Sequence, residues 1–572
     1  MFMRLRIGIA VVALGTCIGS SHTAAQRIGQ AAPGKPNVVL VLMDDLGYGD
    51  LGSYGVTDAK TPNLDRLARE GVRLTDAYAN GAVCSPTRAA LISGRYQQRV
   101  GIEWALSSTD DKDKSLPVTR TSLPALLKTN GYATALVGKW HLGFNPQIGP
   151  NAHGFDEFFG FLSGATNYYT HRAGDGTPDL YENTTPVETP AYLTDEISRR
   201  ATLFIDRHVS TPFFLEVAYN AVHWPFQPPD LAPSDPRRSE APRPHETGDR
   251  RLIQMADDTP PATRAEYVKI LENADQGVGR ILAALERNGM AQNTLVIFTN
   301  DNGGEWLSRN APLYHRKATL WEGGIRVPLI LRWPGRLPAG KTSAQAAITM
   351  DLTRSILAAT GTELPADYRP DGVNILPMLS GQSPATDRLL FWRIVRTGRQ
   401  QKAVRSGRWK MLVDGGQYLL FDLHDDPGER HDLAAQHPDV ILKLKAQLAE
   451  WEKDVDEKPS TQSNTDQYAG TWAGTWDGAG SGDFELTLEK KGGALGGRVA
   501  VTTDAGPYTA DLKSVSIDGS KLSAKYDFPL DAGAEVNIAA SFEDRHAKGT
   551  WSLRPKGQET EIAGGTWTVA RK

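Results

Sequence analysis

The sequence predicts an α/β protein with a large, mostly parallel sheet flanked by helices, a smaller α+β region and an appended all-β domain. Residues 37–43 (NVVLVLM) and 294–299 (TLVIFT) are almost continuous apolar runs, which are typical of strands buried on both faces of a parallel sheet. Helical patterns alternate with such runs up to about residue 385. Beyond residue 389, short strands replace this alternation.

The first elements follow from the residues at their ends. Thr61 and Pro62 have the residue types of an N-cap and a first helical position, and Gly71 has that of a helix end. The further elements predicted in chain order are helix 122–130, strand 132–137, strand 213–219 and helix 264–288. In sheets of this kind, polar residues at the carboxyl ends of the strands bind ligands.

An α+β subdomain is predicted over residues 386–456, after an α/β domain over residues 33–385. Its predicted elements are three strands and one helix, at 389–395, 402–412, 418–424 and 438–454. Residues 457–467 are polar and poor in helix signals, which predicts a linker.

The last region, residues 468–572, is rich in glycine, threonine and alternating apolar residues, which predicts an all-β barrel or sandwich. Gly-Thr-Trp recurs at 470–472, 474–476, 549–551 and 565–567. This recurrence near both ends suits a first and a last strand that pair with each other. The tryptophans suit core packing, with stacking on sugar rings as the alternative. The sequence assigns this domain no task.

The N-terminus has the pattern of a signal peptide. Arg4 and Arg6 precede an apolar run at 7–18, and small residues follow at 23–25. This predicts cleavage after a signal peptide at 1–25 and an exported protein, periplasmic or extracellular. The run is too short to span a bilayer and no later stretch is apolar enough, so no transmembrane segment is expected. Lipid attachment at Cys17 is the alternative.

The charge balance limits the classes of partner. The 572 residues contain 63 Lys and Arg against 67 Asp and Glu, a formal charge of −4, and loss of Arg4 and Arg6 with the signal peptide makes it −6. This mildly acidic balance gives no general attraction to nucleic acid or anionic membranes. Recognition of an anion therefore requires a local basic cluster.

Cys84 is the single thiol expected in the mature chain, so it has no partner for an internal disulfide. Residues 86–93 predict a helix that ends at Gly94, which places Cys84 at a helix N-terminus, where amide N–H groups stabilise an anion. Arg88, one turn along, can add a fork of hydrogen bonds to such an anion. A buried structural cysteine is the alternative.

The run at 84–95 (CSPTRAALISGR) resembles the active-site signature of the type I sulfatases, arylsulfatase and N-acetylgalactosamine sulfatase-like enzymes of the alkaline phosphatase superfamily. The resemblance covers roughly residues 37–455 and implies an alkaline phosphatase-like sheet. It also implies that a maturation enzyme oxidises Cys84 to formylglycine, an aldehyde whose hydrate is the nucleophile.

Two polar pairs follow the two apolar runs. Asp44-Asp45 and Asp301-Asn302 offer hard oxygen ligands, which suit calcium or magnesium rather than zinc. Each pair alone is more often a solvated turn. The sulfatase resemblance implies that Asp44, Asp45, Asp301, Asn302 and the modified Cys84 surround one Ca²⁺.

Residues 131–141 (GYATALVGKWH) resemble the second sulfatase signature. Lys139 and His141 come two residues apart at a strand end, so their side chains can project to the same side. The resemblance implies that Lys139 binds sulfate and orders the hydrated aldehyde, while His141 takes a proton from its second hydroxyl.

His223 and Lys317 complete the predicted catalytic set. Their surroundings, at 220–225 (NAVHWP) and 317–328, resemble sulfatase segments whose histidine and lysine contact sulfate and the leaving-group oxygen. The pattern around His223 is the shorter one, and a packing histidine is its alternative.

These residues together predict an enzyme that hydrolyses sulfate monoesters. Residues 154–164 and Tyr168-Tyr169 resemble segments of aryl and N-acetylgalactosamine sulfatases, which favours a sulfated sugar or an aryl sulfate as substrate. One alternative is a phosphate or phosphonate monoester hydrolase of the same superfamily. A second is a non-catalytic sulfated-glycan-binding protein, if Cys84 stays unmodified. An adhesion role led by the C-terminal domain leaves both signatures unexplained.

Overall fold

The computed structural model describes residues 34–239, 262–396, 399–457, 468–491, 494–518, 520–543, 545–558 and 560–572. The predicted signal peptide with Cys17 lies outside the described residues, as does the predicted linker except for Glu457. The chain divides into two compact units, residues 1–448 and 449–572. This division falls inside a helix that the sequence assigned to the α+β subdomain, and the domain boundaries given above stay predictions.

The strands of the first unit, β1 to β16, are Asn37–Met43, Val72–Leu74, Ala77–Tyr78, Ala133–Lys139, Glu157–Phe161, Tyr181–Glu182, Thr185–Pro186, Phe213–Ala218, Thr294–Asn300, Leu329–Arg332, Lys341–Ser343, Ala347–Ile348, Leu389–Arg396, Arg399–Ser406, Trp409–Asp414 and Gln417–Asp422. The α-helices among the described residues, α1 to α9, are Pro62–Glu70, Cys84–Ser93, Leu123–Thr129, Leu193–Arg207, Arg264–Arg287, Glu322–Ile325, Thr349–Ala359, Leu376–Ser380 and Pro438–Asp456. Short 3₁₀ turns lie at Gly52–Tyr54, Gln97–Val100, Pro146–Ile148, Pro150–His153, Pro236–Arg238 and Ala291–Asn293.

The main sheet has ten strands in the order β11-β2-β10-β9-β1-β8-β4-β5-β6-β7. Its centre is parallel, because β1 pairs in parallel with β8 and β9, and β4 does so with β8 and β5. Antiparallel pairs occur toward the edges, where β10 joins β9 to β2 and β6 joins β5 to β7. The predicted large, mostly parallel sheet is confirmed.

Helices cover both faces of this sheet, which explains why β1 is apolar at every position except its first. Val39 and Val41 belong to a core formed with α1, α4 and α5, whereas Val38 and Leu40 belong to one formed with α2, α3 and α7. Each residue of β1 is buried. A strand between two helical layers needs apolar side chains on both faces.

The register of the central strands brings their carboxyl ends to one place. Met43 lies opposite Asn300 in the pairing of β1 with β9, and Leu42 lies opposite Ala218 in the pairing of β1 with β8. Whatever follows these strands therefore meets at one edge of the sheet.

Thr61 does not cap α1 with its side chain. It occupies the N-cap position, as the sequence predicted, but its hydroxyl accepts a hydrogen bond from the Gly52 amide instead. By contrast, α5 begins with a full capping box, in which Thr263 and Glu266 exchange hydrogen bonds with each other's backbone.

The α+β region contains an antiparallel sheet in the order β13-β14-β15-β16. The sequence predicted one strand over 402–412, and this was wrong: a turn at Gly407 separates β14 from β15. Gly407 has a φ of +56°, which favours glycine and lets the chain reverse.

Beyond the end of α9, the described residues of the second unit form one antiparallel sheet of nine strands. These strands, β17 to β25, are Gly470–Gly478, Ser481–Lys491, Ala494–Thr503, Gly506–Asp511, Ser514–Asp518, Lys521–Asp527, Ala534–Glu543, His546–Pro555 and Ala563–Arg571. The predicted pairing of the first strand with the last is confirmed, since Trp476 lies opposite Trp567. Trp472 and Trp567 are buried in the core of this unit.

Within the described ranges, none of the helices combines the length and the apolar character that crossing a lipid bilayer requires.

A buried ion-pair cluster ties the four-stranded sheet to the main domain. The ammonium of Lys410, on β15, lies 2.8 Å from a carboxylate oxygen of Glu322 and 2.8 Å from one of Glu429, and all three side chains are fully buried. Glu322 is the first residue of α6, five residues after Lys317. The cluster therefore fixes the segment that carries this predicted site lysine.

Replacing Lys410 with methionine should leave the buried Glu429 without its cation and Glu322 with Arg326 alone as its ion-pair partner. We expect Lys410→Met to lower the free energy of unfolding by about 3–5 kcal/mol, measured by chemical denaturation. Lys443→Met, which removes an exposed lysine from α9, is the matched control and should change it by less than about 0.5 kcal/mol. Equal stability of the two variants would contradict the role given to Lys410.

Candidate active site

Two polar pairs meet where β1 and β9 end. Asp44 and Asp45 follow β1, while Asp301 and Asn302 follow β9. All four side chains are buried. The Asn302 amide donates to Asp45 Oδ1 at 2.8 Å, so the two strand ends are in direct contact. This is the sheet edge at which parallel sheets place ligand-binding groups.

Cys84 is the first residue of α2, as the sequence predicted, and lies against the same carboxylates. Its Sγ is 3.5 Å from Asp44 Oδ1. Burial raises the pKa of the Cys84 thiol well above its usual range, although Lys139 and Lys317 oppose this shift. The unmodified side chain is therefore a neutral thiol rather than a thiolate nucleophile.

Three cations neutralise the carboxylates. Arg88 donates to Asp301 Oδ2 from two nitrogens, at 3.1 and 2.8 Å, and to the Lys139 carbonyl at 3.0 Å. The Lys139 ammonium lies 2.6 Å from Asp44 Oδ2, and that of Lys317 lies 2.7 Å from Asp45 Oδ2. The predicted basic residues thus come from three separate segments of the chain and meet at one site.

The carboxylates differ in how easily they ionise. Burial and the neighbouring charge of Asp44 raise the pKa of Asp301 to about 6. Burial also opposes ionisation of Asp45, but the charge of Lys317, with hydrogen bonds from Lys317 and Asn302, outweighs it and holds the pKa of Asp45 below its usual range. The oxygen atoms of these carboxylates are ligands of the kind that a hard divalent cation takes.

His223 forms a hydrogen-bonded pair with Lys317. Its Nδ1 lies 2.6 Å from the Trp224 carbonyl, which can only accept, so Nδ1 carries the proton and Nε2 holds the free electron pair. Lys317 Nζ lies 3.3 Å from that Nε2. Burial lowers the pKa of His223 to about 3, so the ring is neutral and Lys317 carries the charge of the pair.

His141 is held in the opposite tautomer. Its Nε2 lies 2.9 Å from the Leu106 carbonyl and must donate to it, while Nδ1 is buried and has no partner. The Leu106 amide in turn donates to the hydroxyl of Ser85, beside Cys84, at 3.0 Å. Burial, with the charge of Lys139, holds the pKa of His141 well below its usual range. The ring is thus a neutral base with its electron pair on Nδ1.

The site has the donor set of a metal centre. Asp44, Asp45, Cys84 and His223 each offer a ligand atom, and these atoms all lie within 4.8 Å of one another. Asp301 Oδ1 and Asn302 Oδ1 are buried with no hydrogen-bond partner. Unsatisfied buried oxygens are costly, and a bound cation would satisfy both.

The structure adds residues that the sequence analysis missed. The Asn300 side chain exchanges two hydrogen bonds with the Leu46 backbone, at 3.2 and 3.0 Å, which fixes the segment after Asp45. Glu305 lies 3.6 Å from Lys317, and burial raises the pKa of its carboxyl to about 7. A polar residue at the end of an apolar strand could have indicated Asn300. No sequence signal indicated Leu106 or Glu305.

Comparison with known proteins identifies the family. The model of the family described as "Sulfatase" matches residues 36–362, and that described as "N-sulphoglucosamine sulphohydrolase, C-terminal" matches residues 312–454. The chain belongs to the sulfatase family. It is a sulfuric ester hydrolase, as the sequence predicted.

Several characterised sulfatases are similar to it. N-acetylgalactosamine-6-sulfatase of Canis lupus familiaris is 33% identical over 75% of this chain and 88% of its own length. Arylsulfatase A of Bos taurus is 31% identical, over 72% of this chain and 86% of its own length.

Solved structures share the fold of this chain. The crystal structure of Ps i-CgsB in complex with k-i-k-neocarrahexaose has a TM-score of 0.65 and 31% identity, and the match covers 76% of this chain and 97% of that one. The structure of BT4656 in complex with D-glucosamine-2-N,6-O-disulfate has a TM-score of 0.60 and 23% identity, over 75% and 100% of the two chains. These matches confirm the predicted fold class.

Gly164 sets the position of His141 in this sulfatase. A Cβ atom at residue 164 would lie 2.6 Å from two atoms of the His141 ring, which is too close for any real contact. Gly164→Ala should therefore displace the ring, and we expect kcat to fall by roughly 100-fold in an arylsulfatase assay.

Gly496→Ala is the matched control, because a Cβ there meets no atom within 4 Å. Its kcat should equal that of the wild type. Full activity of Gly164→Ala, at unchanged thermal stability, would show that the ring position does not limit turnover.

Proposed function

We propose that this sulfatase acts through a formylglycine made from Cys84 and one Ca²⁺ held by Asp44, Asp45, Asp301 and Asn302. The observation that supports the proposal most strongly is the group of buried oxygen atoms beside Cys84, two of which have no partner. Carboxylate and amide oxygens are the ligands that Ca²⁺ prefers. When present, the hydrated aldehyde supplies two hydroxyl groups, one to attack sulfur and one whose deprotonation releases sulfate, and Ca²⁺ supplies positive charge for the sulfate oxygens.

Arg88, Lys139 and Lys317 hold the sulfate group. Their cations surround Cys84 and are already oriented by carboxylates and a backbone carbonyl. Groups fixed in this way need no reorganisation when charge shifts in the transition state. Arg88 gives planar, directed hydrogen bonds, whereas the two lysines act as point charges.

The Lys317–His223 pair supplies a proton to the leaving oxygen. In the structure the ammonium of Lys317 carries that proton and His223 Nε2 accepts a hydrogen bond from it. A leaving oxygen that lies beside this pair can draw the proton from Lys317 directly or through Nε2 of His223.

His141 serves as the base that releases sulfate. Its Nδ1 electron pair is free, and its Nε2–H is fixed by the Leu106 carbonyl. The lowered pKa keeps the ring neutral at pH values where a free histidine would be protonated. His141 thus stays competent to take a proton under mildly acidic conditions.

A sulfated sugar is the substrate we propose. Support comes from the relative that acts on N-acetylgalactosamine 6-sulfate by its name, and from the crystal structure of Ps i-CgsB with k-i-k-neocarrahexaose at 31% identity. The segment at 154–164 also resembles N-acetylgalactosamine sulfatases. Turnover of a panel of sulfated mono- and oligosaccharides, beside aryl sulfate and aryl phosphate, tests this.

Maturation and export complete the proposal. Cys84 is only 2% exposed, so the enzyme that oxidises it must act before this region folds. The signal-peptide pattern at 1–25 supports export to the periplasm or the extracellular space.

Cys84→Ser should trap the enzyme after sulfate transfer. A serine can accept sulfate but has no second hydroxyl from which His141 could remove a proton, so sulfate stays attached. With an aryl sulfate we expect a single burst of phenol, no further turnover, and a sulfated residue 84 by mass spectrometry. Cys84→Ala, the control, should give neither burst nor adduct. Sustained turnover by the serine variant would contradict the scheme.

Calcium should stabilise the folded chain through the proposed ligands. Adding Ca²⁺ to chelator-treated protein should raise the melting temperature and restore activity, because a ligand that binds only the folded state stabilises it. Asp45→Asn should abolish the rise, since it removes a buried carboxylate. Asp58→Asn removes a carboxylate from a surface ion pair with Arg309, and this variant should still show the rise in melting temperature. An equal rise in both variants would place the calcium elsewhere.

A further inference from the structure

The second unit encloses a cavity that the sulfatase reaction does not use. It has a volume of about 290 Å³ and lies at one end of the nine-stranded sheet, where four of its turns meet. Its deeper wall consists of buried apolar and aromatic side chains, namely Phe484, Val501, Tyr526, Val536, Ile538 and Trp567. Trp476 and Trp551 stand nearer the mouth and are half-buried.

The sheet curls around this cavity. Its two edge strands, β20 and β21, follow each other in the chain, and β19 approaches β21 while β20 approaches β22. A hydrogen bond of 3.2 Å joins the hydroxyls of Tyr508 and Tyr526 across this gap. A curled sheet of about this many strands has room inside for one small ligand, and ligands enter at the mouth.

Most of the polar side-chain groups in the wall already have hydrogen-bond partners. The indole N–H groups of Trp476, Trp551 and Trp567 donate to backbone carbonyls at 2.9, 3.1 and 3.1 Å. The Thr503 hydroxyl donates to the Gly506 carbonyl at 2.9 Å. A sugar needs several directed hydrogen bonds besides ring stacking, and these walls offer ring faces and methyl groups instead. The lining therefore favours an apolar ligand.

The volume of the cavity and the charge at its mouth further restrict the class of ligand. An apolar cavity of ~150 Å³ stays dry and binds benzene, and this cavity has about twice that volume. It therefore has room for an apolar ligand of roughly ten carbon atoms. Among the described residues that line the cavity, Asp504, at the mouth, is the only charged one. It would repel a carboxylate head group. Leu530, 52% exposed, extends the apolar surface at the rim.

We propose that this cavity binds the alkyl chain of an uncharged amphiphile, with the chain among the buried aromatic residues and the polar head at the mouth beside Asp504. The C-terminal unit would then be a lipid-binding module attached to a sulfatase. The site is independent of the chemistry at Cys84.

Calorimetric titration of the full-length protein with decanol tests the proposal. We expect decanol to bind, and decanoate to bind at least about tenfold more weakly because of Asp504. Ala505→Trp places a bulky side chain on an exposed turn at the mouth and should weaken decanol binding by at least about tenfold. Ala539→Trp, on an exposed position of β23, is the matched control and should bind like the wild type.

A second variant tests the orientation of the ligand. Asp504→Lys should reverse the preference and favour decanoate over decanol. Sulfatase activity should be unchanged in all three variants, which separates this proposal from the one for Cys84. Absence of decanol binding, equal binding by Ala505→Trp and the wild type, or binding of maltohexaose that Ala505→Trp abolishes would each overturn the lipid assignment.

Discussion

The balance of buried charge at one edge of the main sheet is the constraint on which the rest of this sulfatase depends. Three carboxylates and three cations lie there almost without access to water, in the pairs Asp44 with Lys139, Asp45 with Lys317 and Asp301 with Arg88. A buried charge without a partner costs several kcal/mol, so each of these groups requires the others. The register of β1 against β8 and β9 supplies the positions, and helices on both faces keep the strands in that register. The fold thus stabilises a charged site that no single segment of the chain could stabilise.

Backbone groups around this cluster give its two histidines different tasks. The Leu106 carbonyl fixes the proton of His141 on Nε2, and the Trp224 carbonyl fixes that of His223 on Nδ1. One ring is left with an unpartnered electron pair and the other with an electron pair turned toward Lys317. In the function that we propose, the same kind of side chain therefore acts as a base in one place and as part of a proton donor in the other. Because both rings are buried, their protonation follows from these contacts rather than from the solvent.

Much of this architecture could be predicted from local sequence patterns. The continuous apolar runs of β1 and β9 indicated strands buried on both faces, and the polar pairs after them indicated the site. The tautomer of His141 could not be predicted, because Leu106 lies in a segment without helix or strand and reaches the ring only in the folded chain. The turn at Gly407 was missed, although Ser406-Gly407 is a turn signal, because apolar residues resume at Val404 and Trp409 on its two sides. Glu305 was missed because its role depends on Lys317, twelve residues away in sequence.

The central claim is that residue 84, once oxidised, shares its calcium with the carboxylates at the ends of β1 and β9. The most direct measurement is a crystal structure of the matured chain grown with Ca²⁺, with the ion placed by anomalous scattering. The account predicts a hydrated aldehyde at residue 84 and one ion with oxygen ligands at about 2.3–2.6 Å from Asp44, Asp45, Asp301 and Asn302. An intact Cys84 thiol in catalytically active crystals, or an ion bound away from these four residues, would contradict it.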